Sequence, residues 1–169
     1  MERILITGAG SEMQGVGRLS DGRAVFVPGA LPGEEVEIEI TRDAGRFCEA
    51  KLLNVLSSSP MRCESQCTYY GECGGCSARH MSYACSLELK RQRVYDALSR
   101  IGGIEIPCVF AAIGSARTER VRNKAEYAVY AKNGQVVIGS YAPRSKRIIP
   151  LSDCPLQKEP SVLALQWLS

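Results

Sequence analysis

No stretch of this sequence approaches the roughly 18 consecutive apolar residues that a membrane-spanning helix needs. The N-terminus offers only Ile4-Leu5-Ile6 beside Glu2 and Arg3, too short a run for a secretory signal. Both absences point to a soluble, cytoplasmic protein. Aromatic residues are only 7% of the chain, so its cores must rely on aliphatic side chains. A third glycine is also missing where one would matter. "ILITGAGS" looks like the strand and turn that open a dinucleotide-binding fold, but position 13 is Met and a glycine-rich, strand-like stretch follows. A pyrophosphate site needs a helix N-terminus there, so nicotinamide binding is set aside.

What remains is globular in composition, with 45% hydrophobic and 23% charged residues in a chain of 169. That length suits one ordinary domain or two small ones. The net charge of +3 hides an asymmetry. Residues 1–58 carry six Lys and Arg against nine Asp and Glu, whereas residues 59–169 carry fifteen against nine. The second part is the better candidate for a polyanionic partner.

Residues 1–58 read as all-β. Short apolar runs at Ile4–Ile6, Ala24–Val27, Val36–Ile40 and Leu52–Leu56 alternate with the turn signals Asp21-Gly22, Pro28-Gly29 and Pro32-Gly33. Val36, Ile38 and Ile40 alternate with glutamates, the period of a half-buried strand. Five short strands in this length suggest a small closed barrel. "SSSP" at Ser57–Pro60 is a polar linker, which divides the chain into domains 1–58 and 59–169. A helix is expected over roughly 82–101, with Tyr83, Leu87, Val94, Leu98 and Ile101 on one stripe and Gly102-Gly103 as its stop. Lys90, Arg91 and Arg93 fall mostly off that stripe and read as a solvated face. Asn133-Gly134 between two β-rich runs predicts a hairpin within an antiparallel unit over 118–149. The stretch 161–169 is apolar and reads as a helix.

Eight cysteines stand at positions 48, 63, 67, 73, 76, 85, 108 and 154. Cytosolic thiols are kept reduced, so clustered ones point to metal rather than disulfides. "CTYYGECGGC" places Cys67, Cys73 and Cys76 at C-x5-C-x2-C spacing, with Gly71, Gly74 and Gly75 to let the loop curl and turn amide N–H groups toward sulfur. A tetrahedral zinc or a cubane cluster wants four ligands. The candidates for the fourth are Cys63, Cys85, Cys108 and Cys154, and spacing does not choose between them. Cys154 precedes Pro155 and follows the hairpin. One C-x2-C knuckle, an extra upstream cysteine and a distant fourth suit an iron–sulfur cluster better than structural zinc, which usually combines two knuckles.

"CTYYGECGGCSARHMSY" resembles the cluster loop of the RNA uracil-5 methyltransferases, especially those acting on large-subunit ribosomal RNA. "GVGRLSDGRAVFVPGALPGE" resembles the TRAM domain that begins those enzymes. "RVRNKAEYAVY" and "SKRIIPLSDCPLQ" resemble their central domain. The resemblance covers essentially the whole chain. It implies a mainly β fold with an α+β part: an OB-like TRAM β-barrel, then an iron–sulfur loop, a helix and an antiparallel β-hairpin unit. It implies that Cys67, Cys73, Cys76 and Cys154 ligate a [4Fe–4S] cluster, leaving Cys48, Cys63, Cys85 and Cys108 as structural or free thiols. His80, the single histidine, matches a position beside the loop and reads as a packing or hydrogen-bonding residue.

The glycine-rich S-adenosylmethionine motif and the catalytic loop of that family are not visible here. The chain is therefore expected to be the N-terminal, RNA-recognition part of a methyltransferase, with no catalytic residue and no S-adenosylmethionine bound to it. RNA, ribosomal by the resemblance, is the expected partner. Arg120, Arg122, Asn123, Lys124, Arg144, Lys146 and Arg147 are the candidate contacts. Two other readings stay open: a ferredoxin-like electron carrier using the same four cysteines, and a zinc-stabilised RNA-binding module.

Overall fold

The computed structural model describes residues 1–105, 108–132 and 134–168. They form two compact units. One joins residues 1–64 to 77–114, and the other joins 65–76 to 115–169.

The first unit is built on a closed five-stranded barrel of β1 (Glu2–Ala9), β2 (Gly15–Arg18), β3 (Ala24–Val27), β4 (Glu35–Asp43) and β5 (Phe47–Ser57), in the order β1-β2-β3-β5-β4. All neighbours are antiparallel except β3 and β5. Closure leaves no open edge. Inward positions follow the strand period: Ile4, Ile6, Val25, Val27, Val36, Ile38, Cys48 and Ala50 make the core. It is aliphatic, as the scarcity of aromatics requires. Ile40 ends the Val36–Ile38 alternation partly exposed, where β4 runs beyond the core. "TGAGS" runs from β1 into a turn whose Gly10 and Gln14 are hydrogen-bonded, and β2 follows rather than a helix.

The linker reading at residue 58 coincides with the end of β5, not with the edge of a compact unit. Residues 59–64 and the helix α1 (Tyr83–Asp96) group with the barrel. Glu34 is the reason. Its carboxylate is fully buried and accepts from the Arg62 guanidinium at 2.5 and 2.7 Å and from the N–H groups of Leu31 and Ser59. Burial opposes its charge, yet these donors hold the carboxyl below its ordinary pKa. Leu31, Met81 and Cys85 form a small core beside it.

Ser82 caps α1 by accepting from the Cys85 N–H. A single π-helical turn, Ala97–Ile101, ends it at Gly102, whose N–H donates to Ala97 O, and Gly103 has φ 62°. The expected apolar stripe is not the buried face. Cys85 and Ser86 are buried, whereas Tyr83, Val94, Leu98 and Ile101 are exposed, Ile101 to 86%. The helix packs near its N-terminus, through buried Cys85 and Ser86 and through partly buried Leu89, which lies against the small core of Leu31, Met81 and Cys85 and off the expected stripe. Arg91 bonds Glu88 and Val109 O.

The second unit holds an antiparallel sheet of β6 (Ala128–Lys132), β7 (Gln135–Tyr141) and β8 (Ile148–Pro150), with α2 (Glu159–Leu168). The β6–β7 pairing is the expected hairpin, and Gly134 has φ 79°. Asn133 lies outside the described residues. Residues 118–127 are not part of the sheet. Arg122 instead bridges to Gln157. Ile138, Ile149, Leu151 and Leu165 form the core, flanked by Tyr69 and Tyr127.

Candidate metal centre and nucleic-acid interface

Cys67, Cys73, Cys76 and Cys154 all belong to the second unit, each half-buried and in no disulfide. The cysteine loop is shaped by local hydrogen bonds. Tyr70 N–H donates to Cys67 O, and Cys73 N–H donates to Tyr69 O. Gly71 takes φ 91°, a conformation that favours glycine. Gly74 serves differently. A side chain there would sit 2.8 Å from Tyr141 O, which accepts the Gly74 N–H. The Gly75 N–H donates to Cys73 Sγ at 3.4 Å, the amide-to-sulfur contact that supports a thiolate.

Tyr69 carries the loop to the segment of the fourth cysteine. Its hydroxyl shares a hydrogen bond with Ser152 Oγ at 2.8 Å and accepts the Ser152 N–H at 3.1 Å. Ser152 stands two residues before Cys154. Arg120 then grips the Cys154 turn. Its guanidinium donates to both Asp153 carboxylate oxygens, to Cys154 O and to Gln157 O, and its own N–H donates to Pro155 O. Its φ of 55° is unusual for a residue with a side chain. Hydrogen bonding from Arg120 lowers the Asp153 pKa against the effect of burial. Tyr127, whose hydroxyl donates to buried Gln157, has its pKa raised by burial first and by the nearby Cys154 and Asp153 second.

The donor set therefore suits a thiolate-bound group, and the backbone carries loop and turn in one unit. The sulfurs are not gathered: among the described residues no three His, Cys, Asp or Glu side chains converge to hold a metal ion. The remaining cysteines are elsewhere. Cys48 lies in the barrel core. Cys85 is buried, and burial pushes its thiol pKa up. Cys63 and Cys108 are exposed. His80 is buried in the first unit, and burial pushes its pKa down.

The expected RNA contacts also share the second unit, which carries nine Lys and Arg against five Asp and Glu. They do not form one group. Arg120 is engaged as described. Arg122 donates to Gly75 O at 3.4 Å, and its backbone bonds Leu156 and Lys158. Asn123 and Lys124 are exposed, Lys124 paired with Glu126. Arg144, Lys146 and Arg147 stand exposed on the β7–β8 loop. Sequence reasoning missed Tyr69, Ser152, Asp153 and Gln157. All four lie inside the quoted stretches, Tyr69 in "CTYYGECGGCSARHMSY" and the others in "SKRIIPLSDCPLQ", but nothing local marked their partners.

The closed five-stranded barrel belongs to a known class. Residues 1–53 match the TRAM domain. Over most of its length the chain is 42% identical, across 156 residues, to a Clostridium tetani protein named "Uncharacterized RNA methyltransferase", covering 92% of this chain and 34% of that one. It is 38% identical over 154 residues to the 23S rRNA (uracil(1939)-C(5))-methyltransferase RlmD of Halomonas elongata, covering 90% and 32%. The chain is thus a relative of the RNA methyltransferases that opens with a TRAM domain, and it spans about a third of the length of the curated relatives it matches. The fold is shared with the Pyrococcus abyssi tRNA (uracil-54, C5)-methyltransferase solved with S-adenosyl-L-homocysteine. The TM-score is 0.61 at 24% identity, over 98% of this chain and 35% of that one. No helix among the described residues is long and apolar enough to cross a membrane.

Proposed function

We propose that this chain is the RNA-recognition part of an S-adenosylmethionine-dependent RNA (uracil-5-)-methyltransferase acting on large-subunit ribosomal RNA. The observation that carries the reading is its alignment over nine tenths of its length with RlmD of Halomonas elongata. Uracil-5 methylation within folded RNA requires the target base to leave its stack. A basic unit that grips flanking strands favours that state, and the TRAM barrel contacts RNA by shape and local groups rather than by net charge. No residue among these 169 is assigned to methyl transfer.

Cys67, Cys73, Cys76 and Cys154 are the residues that would hold a [4Fe–4S] cluster. Its chemistry here is structural, a four-thiolate crosslink between distant segments. Tyr69 and Arg120 place the two segments, and the Gly75 N–H supports negative charge on Cys73. The electron-carrier reading is not favoured by relatives named as RNA methyltransferases, and it gives no part to the barrel or the cations.

Binding of a labelled ribosomal RNA fragment across a salt series tests the reading. Affinity should fall steeply as salt rises, with a shallower slope once Arg144, Lys146 and Arg147 are neutralised. Affinity that ignores salt and these substitutions contradicts it.

A further inference from the structure

We propose that Tyr141 is a stacking platform for an unpaired RNA nucleotide, presented beside the cations of the β7–β8 loop. The proposal rests on the RNA-recognition reading above. The loop closes tightly: Ala142 N–H donates to Arg147 O at 2.8 Å, and Ser145 N–H donates to Ala142 O at 3.2 Å. Ser145 Oγ accepts the Arg147 N–H at 3.0 Å. Arg144 takes φ 51° within this turn, and Arg144, Lys146 and Arg147 all reach solvent.

Tyr141 is the last residue of β7 and leads into that loop, yet it is 54% exposed. Its backbone is fixed on both sides. It pairs with Ile148 of β8, and its carbonyl accepts the Gly74 N–H at 2.8 Å. Ala142, the next residue, is buried. Strand alternation and register place Tyr141 on the sheet face opposite core residues Ile138 and Ile149. Tyr130 pairs with Val137 and so shares that face, 41% exposed and about 13 Å away along the strand. That face of the sheet thus carries two solvent-exposed aromatics, one of them at the root of the cationic β7–β8 loop. An aromatic ring for the face of a base, with cations for the flanking phosphates, is the pairing that binds single-stranded nucleic acid. Arg144 and Lys146, with Arg147 paired to Glu72 at 4.0 Å, leave a net positive rim, which disfavours an apolar protein interface there.

The test compares the full chain with Tyr141→Phe, Tyr141→Leu and the triple Arg144→Gln, Lys146→Gln, Arg147→Gln variant. Anisotropy is read on a labelled single-stranded RNA and on its duplex across a salt series. Phe should bind the single strand as wild type does. Leu should weaken it roughly five- to a hundredfold while leaving the salt slope unchanged. The triple variant should flatten the slope, by about 0.7 for each phosphate no longer neutralised. Tyr141→Trp in a Trp167→Phe background should show emission quenched by the single strand more than by the duplex, which keeps the test decisive if Leu fails to fold. Wild-type affinity in Leu, or emission that RNA leaves untouched, overturns the stacking role even where the triple variant still weakens binding. If neither Leu nor the triple variant alters affinity, the RNA-recognition reading of this unit fails as well.

Discussion

The hydroxyls of Tyr69 and Ser152 share a hydrogen bond of 2.8 Å across 83 positions of sequence. This contact, reinforced by the Ser152 N–H, brings the cysteine loop to the Cys154 turn before any metal is considered. Tyr69→Phe keeps the ring against the second core but removes both bonds. Stability of the second unit should fall by about 1–3 kcal/mol for the two bonds together. From the proposed cluster, iron release to a chelator should quicken by more than that loss explains, as read by the chelate's absorbance.

Arg120 is expected to behave unlike the other candidate cations. Its donors are spent on Asp153, Cys154 O and Gln157 O. Arg120→Gln should lower the melting temperature of the second unit and its iron content while leaving the salt slope of RNA binding unchanged. A lost slope with unchanged melting would make it an RNA contact after all.

Gly74→Ala tests close approach rather than backbone freedom. The new methyl group would meet Tyr141 O at 2.8 Å and Pro143 N at 3.2 Å, so the cysteine loop must lift from the end of β7. Amide exchange at residues 73–76 and 141–143 should speed up together. Exchange confined to the substituted residue would show that the loop is not seated on β7.

The barrel was legible because its code is local. Val36 and Ile38 alternate with glutamates, and Gly22, Gly29 and Gly33 all take positive φ where the turn dipeptides placed it. The hairpin of β6 and β7 was legible for the same reason. Long-range polar pairing was not. Glu34 is the first of a group with Glu35, Glu37 and Glu39, and nothing local marks it as the buried one whose partner is Arg62. Arg120 looks like any cation in "RTERVRNK" until the Cys154 turn is folded around it. The α1 stripe misled because the packed face runs through Cys85, Ser86 and Leu89 rather than through Val94, Leu98 and Ile101. Among the cysteines, spacing grouped the loop thiols, and the expectation of Cys154 as their fourth partner came from the resemblance.

Glu34 gives the first unit an acid limit. Its folded pKa lies below the ordinary 4.5, so the unfolded chain binds its proton more readily. The stability it contributes is complete above about pH 4.5 and is lost as pH falls through the folded value. Glu34→Gln leaves Arg62 without its charge partner and should cost about 3 kcal/mol near neutrality. Urea unfolding of the first unit should also lose part of its acid dependence below about pH 4.5. An unchanged acid limb would remove Glu34 from this role.

Iron and sulfide content after purification without air tests the four-thiolate site most directly, comparing wild type with Cys154→Ser, Cys63→Ser and Cys85→Ser. The expected result is about four irons per wild-type chain with broad visible absorption, retained in Cys63→Ser and Cys85→Ser and largely lost in Cys154→Ser. Full iron in Cys154→Ser with loss in either of the others, or a single zinc in place of iron, would contradict the account.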